Sequence, residues 1–257
     1  MTTSSETRKL IVVTGASRGM GASAARELAR RGFHVLAGVR RDRDADAIRS
    51  TGIEPVILDI TEPEHVEALS ARVTDDPCAL HALVNNAGVQ VNAPVEALPM
   101  AEWRRVFEVN LFGHIAVTQA LLPALLRGKG RVVNISSIGG KYAMATYGAY
   151  AGAKFALEAV SDSLRREVAP LGVQVVVVVP GGVRTEIAAR VIAKAVTTRR
   201  PRTRYTAGRD AALIMRLGPM LSDRTLDRVL AANLRRHHPK GATAVAPRGC
   251  RVGQARS

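Results

Sequence analysis

Residues 10–21 read Leu10-Ile11-Val12-Val13-Thr14-Gly15-Ala16-Ser17-Arg18-Gly19-Met20-Gly21. Four aliphatic residues without polar alternation suit a strand covered on both faces. Glycines at 15, 19 and 21 then make a tight turn into the helical pattern of 20–31. The same pairing repeats outward. Apolar runs at 34–39, 55–58, 82–85, 131–136 and 173–179 alternate with helical periodicity over 42–51, 62–74, 100–126 and 150–171. Repeated βαβ units predict an α/β fold, a single doubly wound parallel sheet with helices on both faces. Gly32 and Gly172 are placed as helix terminators, and Thr61 with Glu64 as a capping box.

The chain has 257 residues, 47% of them hydrophobic, which suits one large domain. That domain is expected to span 1–236, followed by a basic, Pro/Gly/Arg-rich tail at 237–257 too poor in apolar residues to pack, hence disordered. No basic start leads into a signal-like apolar run, and no stretch approaches the roughly 20 apolar residues that cross a bilayer. A cytoplasmic protein without a transmembrane segment is expected. Cys78 and Cys250 have no paired motif and the six histidines no ligand spacing, so no metal site is expected. The formal charge is +15, and residues 194–257 carry most of it: 15 Lys/Arg against Asp210, Asp223 and Asp227, a net of +12. Such a segment could meet polyanions. It holds one aromatic residue, Tyr205, and no nucleic-acid module signature, so nucleic acid is not an expected partner.

A glycine turn after a first strand lets the backbone approach a dinucleotide pyrophosphate, and the next helix offers free N–H groups to it. A tight βα connection would use the same glycines. The second strand ends Ala37-Gly38-Val39-Arg40-Arg41. An acid there would suit the ribose hydroxyls of NAD, and an arginine the 2′-phosphate of NADP. Arg18, inside the turn, falls near the same place. Converging guanidiniums suit a dianionic phosphate and favour NADP(H) over NAD(H). The alternative is a solvated strand end, with Asp42 merely opening the next helix.

Tyr150 and Lys154 are four residues apart on a predicted helix and share a face. Ser137 follows the fifth strand, at the carboxyl edge where open α/β sheets bind ligands. A tyrosine with a pKa of about 10 needs help to exchange protons near neutrality, and an adjacent ammonium lowers that pKa. Ile138, Tyr142, Met144 and Tyr147 form a largely apolar set between Ser137 and Tyr150. They could wall a substrate pocket, although core packing accounts equally well for each. Residues 186–222 make a segment longer than a simple connection, expected to fold into helices as a lid.

From about residue 9 to residue 227 the chain resembles the short-chain dehydrogenases/reductases. The resemblance rests on Thr14-Gly15-x-x-x-Gly19-x-Gly21, Asp59, Asn85-Asn86-Ala87-Gly88, Asn110, Ser137, Tyr150-x-x-x-Lys154 and Pro180-Gly181, in that order. It implies a Rossmann-like catalytic domain with a helical C-terminal extension. It puts Gly15, Ser17, Arg18, Gly19, Met20, Gly21, Arg40 and Arg41 on the cofactor, with Asp59 and Ile60 near the adenine. Asn86, Ala87 and Gly88 fall beside the adenosine ribose, and Pro180, Gly181, Val183 and Thr185 around the nicotinamide. Tyr150 becomes the general acid/base, Lys154 its ribose-binding partner, Ser137 the holder of the substrate oxygen, and Asn110 the residue that orders a relay water. Ala153 departs from the serine many relatives carry before the lysine, which removes one secondary cofactor contact.

Residues 200–211 and 221–224 are similar to the retinol, hydroxysteroid and 3-hydroxybutyrate dehydrogenase branch. This implies oxidoreduction between a secondary alcohol and a ketone (or aldehyde) on a small apolar steroid-, retinoid- or lipid-like substrate. It also implies a homodimer or homotetramer built on the two long helices. Two other readings are a reductase of carrier- or CoA-linked 3-ketoacyl groups, docked through the basic quarter, and a non-catalytic NADPH-sensing protein.

Overall fold

Within β1 (Leu10–Val13) every side chain is buried, and alternate residues enter different cores. Leu10 and Val12 join one hydrophobic cluster while Ile11 and Val13 join another, as a pleated strand covered on both faces requires. The computed structural model describes residues 9–217 and, beyond them, 222, 224, 225, 227 and 228. Residues 237–257, expected as a tail, lie outside the described residues. Contacts define a compact unit ending at Leu217 and a second beginning at Gly218.

The first unit alternates as expected: α1 (Gly19–Arg30), β2 (His34–Val39), α2 (Asp42–Ile48), β3 (Ile53–Ile57), α3 (Pro63–Thr74) and β4 (Leu80–Asn85). Next come α4 (Met100–Phe107), a π-helical turn at Glu108–Phe112, α5 (Gly113–Gly128) and β5 (Arg131–Ile135). The unit closes with α6 (Gly148–Val168), β6 (Gln174–Pro180), α7 (Thr185–Thr197), β7 (Arg204–Ala207) and α8 (Arg209–Leu217). The seven strands run parallel in the order β3-β2-β1-β4-β5-β6-β7. Strand order reverses between β1 and β4, so a crevice opens past their carboxyl ends. One face is covered by α1, α2 and α7, with Leu28, Ile48, Ile192 and Val196 in its core. The other is covered by α3, α5 and the end of α6, with Leu69, Leu121, Leu125 and Val168.

Three expectations change. The stretch expected as a lid from residue 186 begins instead as part of the core, over residues 186–207. Only residues 181–184 separate β6 from α7, and α7 buries Ala188, Ala189, Ile192, Ala193, Ala195 and Val196 in the core beside α1. Its apolar residues recur at helical spacing because they face the sheet, and β7 then extends that sheet. Arg131 fixes the far end of α7, donating from Nη1 to the carbonyls of Ala195 and Thr198 at 2.8 Å each.

Thr61 does not cap α3. Glu62 is its N-cap and Pro63 its first residue, and the Thr61 hydroxyl donates instead to Asp59 Oδ1 at 2.8 Å.

The helix Met100–Gly128 is continuous through its π turn over 29 residues, and is long and apolar enough to cross a membrane. A count of uninterrupted apolar residues passes over it because Asn110, His114, Thr118 and Gln119 break the run. Half of its most apolar window is buried inside the protein.

Candidate active site

The turn after β1 and the turn after β4 are stitched together at the sheet's carboxyl edge. Buried Thr14 accepts through Oγ1 from the backbone N–H groups of Asn86 (2.9 Å) and Ala87 (3.0 Å). Asn86 returns the contact, its Nδ2 donating to the carbonyls of Thr14 (2.9 Å) and Gly15 (3.1 Å). The two backbones approach so closely that glycine is required. A Cβ on Gly15, at φ +65°, would stand 2.7 Å from Ala87 Cα, and one on Gly21 would stand 2.3 Å from the Gly15 carbonyl oxygen.

This stitching leaves a cleft of about 270 Å³ in front of α1. Gly15, Ser17, Arg18 and Met20 line it from the first turn, Arg40 from the end of β2, and Asp59 and Ile60 from beyond β3. Asn86, Ala87 and Gly88 complete it from β4. A cradle of main chain, a helix N-terminus and two guanidiniums fit a dinucleotide. Gly19 and Gly21 shape the turn from behind without lining the cleft. Arg41 does not line it either: it is exposed as the N-cap of α2, because successive residues leaving a strand point to opposite sides. Sequence reasoning passed over Val89 and Val109, which do line it.

Asn110 sits in the π turn, where its side chain holds the main chain of Val89 from both sides. Oδ1 accepts from Val89 N–H at 3.0 Å and Nδ2 donates to Val89 O at 2.7 Å. The amide is thus engaged on the loop after β4. The neighbouring Asn85 is a sheet fastener, donating to Thr118 Oγ1 and Asn134 Oδ1 at 2.9 Å each.

Ser137, Tyr150 and Lys154 do come together. Ser137 caps a short turn at Ile138–Gly140, accepting from Gly139 N–H at 3.1 Å, and its hydroxyl acts on the Tyr150 phenol. Tyr150 lies in the first turn of α6 and Lys154 one turn later, its Nζ 6.0 Å from the tyrosine ring centre. Lys154 is 3% exposed and donates to the Ile135 carbonyl at 2.8 Å. Burial pushes its pKa down to about 8, and Glu158 opposes that shift. Burial raises Tyr150, partly offset by the Ser137 hydroxyl. The expected lowering of the tyrosine by its lysine is therefore not what the site displays: desolvation dominates, and the phenol stays protonated near neutrality.

Of the candidate pocket residues, Tyr147 packs edge-on to Tyr150 with ring centres 6.4 Å apart. Ile138 and Tyr142 are half-buried in the intervening loop, and Met144 is exposed. A feature absent from sequence reasoning is how the loop after β4 is packed. Val89, Val91 and Ala93, with Trp103 and Phe107, pack against a small core of Leu98, Val106, Ala149 and Ala153, and Ala93 N–H donates to the carbonyl of Thr146 at 3.0 Å. Past β6, Gly181 N–H donates to Ala207 O and Gly182 N–H to Asp210 Oδ2, at 2.9 and 2.8 Å. These bonds brace the loop from Pro180 through Val183 to Thr185 against β7 and the start of α8.

A family model described as short chain dehydrogenase matches residues 9–195. An uncharacterized oxidoreductase of Escherichia coli, YbbO, is 40% identical over 181 residues, 69% of this chain and 67% of that protein. Mouse retinol dehydrogenase 5 is 43% identical over 183 residues, 69% of this chain and 57% of its own length. The matched stretch thus spans about three fifths of these relatives. A solved short-chain dehydrogenase of Burkholderia cenocepacia, in complex with NADP, superposes with a TM-score of 0.76 at 28% identity, covering 90% of this chain and 98% of that one.

Proposed function

The chain belongs to the short-chain dehydrogenases, and from that premise we propose that it is an NADP(H)-dependent oxidoreductase interconverting a secondary alcohol and a ketone (or aldehyde). The observation that carries this reading is the gathering of Ser137 and Tyr150 at the sheet's carboxyl edge, with Lys154 buried one turn along the same helix, its Nζ 6.0 Å from the tyrosine ring centre. What the nucleotide supplies when bound is the hydride. The protein's own residues handle the oxygen. Ser137 orients the substrate oxygen, and the Tyr150 phenol donates its proton to it during reduction and retrieves one during oxidation. Lys154 offers a cation to the ribose and to the phenolate left after proton transfer.

Preference for NADP(H) is supported by Arg18 and Arg40, which both line the nucleotide cleft. An apolar substrate is supported by the similarity to retinol dehydrogenase 5 and by Tyr147, whose ring packs edge-on to Tyr150. A homo-oligomer built on α5 and α6 is supported by a cleft of about 350 Å³ between them, lined by Ile115, Leu122, Val160 and Leu164. Phe112 and Phe155 add 50% and 42% exposed aromatic surface.

The test is loss of NADPH absorbance with purified protein and a graded panel of ketones and aldehydes, from acetoacetyl esters to retinal and ketosteroids. Turnover of the bulky apolar members that disappears in Tyr150→Phe is the expected result. Firm NADPH binding without turnover of any carbonyl would overturn the reading.

A further inference from the structure

Glu158 continues the row begun by Tyr150 and Lys154, one more turn along α6. Its side chain is 4% exposed, yet it is shared among three parts of the chain. Oε2 receives Lys141 Nζ at 3.1 Å, from the loop that follows Ser137, and Arg204 Nε at 2.9 Å, from the first residue of β7. Arg204 is held on its other side by Asp162, Nη2 to Oδ2 at 2.9 Å, and Asp162 also pairs with Arg165. The second oxygen of Glu158, Oε1, is buried with no partner. A buried carboxylate with one bare oxygen is costly, and as a mere tether for Lys141 and Arg204 it would be a poor solution.

Its position supplies a reason. Lys154 is buried one turn away, and among the described residues its only hydrogen bond is to the neutral carbonyl of Ile135. We infer that Glu158 is a positioning residue for the reaction assigned above, supplying the counter-charge that keeps Lys154 cationic inside the protein while tethering the Ser137 loop through Lys141. This inference rests on the reading of Tyr150 and Lys154 as the proton-handling pair.

The charges around Glu158 are Lys141 from the loop, Arg204 from β7, and Lys154 and Asp162 on its own helix. From α5, His114 feels the Lys154 charge, but burial holds that imidazole neutral, with its pKa about 3. Removing the Glu158 charge would leave Arg204 to Asp162 alone and Lys141 without the carboxylate it meets, and would take away the negative charge that acts on Lys154. Two like charges in a low-dielectric setting disfavour a third.

The experiment follows the Lys154 side chain by NMR with ¹³C-labelled lysine in the full-length protein, its resonance assigned by its loss in Lys154→Met. The midpoint of titration should fall by roughly one pH unit or more in Glu158→Gln, which keeps the shape and can still accept hydrogen bonds. The alkaline limb of kcat should move down with it. Lys141→Met, which removes a neighbouring cation and leaves Glu158 in place, should move the midpoint up. It keeps the inference testable where Glu158→Gln folds poorly. Unchanged midpoints would overturn the inference. Shifted midpoints with no carbonyl turnover even by the parent protein would instead overturn the catalytic reading and leave the electrostatic role standing.

Discussion

Arg40 Nη1 and Asp59 Oδ2 approach to 3.8 Å in the wall of the nucleotide cleft, so the one carboxylate there is partly answered by a guanidinium. Arg18 lines the same cleft without a carboxylate of its own among the described residues. Arg18→Ala and Arg40→Ala are each expected to weaken NADPH binding by about 10- to 100-fold, the worth of one or two charge-assisted hydrogen bonds. NADH binding should change little. Fluorescence titration with both nucleotides checks this, and equal losses for both would contradict a 2′-phosphate site.

Tyr150→Phe removes the proton donor and retains the ring that packs against Tyr147. Turnover should fall by a factor of about 10² to 10⁴, the usual share of general acid catalysis. NADPH affinity should stay within about twofold of the parent protein, because Lys154 and the cleft after β1 and β4 keep their contacts with the nucleotide. Steady-state rates and nucleotide titration on one preparation separate the two effects.

His114 is fully buried in α5, its Nε2 2.6 Å from the Ala87 carbonyl, and burial lowers its pKa from 6.5 to about 3. The unfolded chain therefore binds a proton between these values that the folded protein refuses. Stability from this group is present above pH 6.5 and is lost progressively as pH falls towards 3. The loss amounts to several kcal/mol, of order 1.4 per pH unit. His114→Gln, which can still donate to Ala87, should flatten the acid limb of a urea-unfolding series across pH 4–7. An unaltered limb would assign acid sensitivity to other groups.

Thr146 holds φ +71°, a left-handed conformation that a β-branched residue adopts only under constraint, and its carbonyl receives the Ala93 N–H. Thr146→Asn relieves most of that strain and should stabilise the protein by about 0.5–1 kcal/mol. It leaves the main-chain bond between the two active-site loops intact. Thermal unfolding should rise by a few degrees, and a fall would mean that the threonine side chain contributes more than its backbone costs.

The parts of the site legible in the sequence are those written in local spacing. Gly15, Gly19 and Gly21 announce a turn, and Tyr150 with Lys154 announces a shared helical face. Uninterrupted runs such as 10–13 and 175–179 announce buried strands. What sequence spacing does not carry is the direction in which a helix faces. The alanines and Ile192 of α7 have the same pattern whether they roof a pocket or enter the core, and only the shortness of 181–184 together with packing on α1 decides it. The sign of the Tyr150 shift was likewise hidden, because burial arises from segments distant in sequence. Glu158 gathers partners from positions 141 and 204, which no window along the chain unites.

The four residues between β6 and α7 bear on how the enzyme turns over. Many enzymes close a hinged cover over their substrate and then wait for it to reopen before product leaves. Among the described residues nothing between β6 and α7 is long enough to swing. A segment that closes over a substrate would therefore have to come from another part of the chain than the β6–α7 connection.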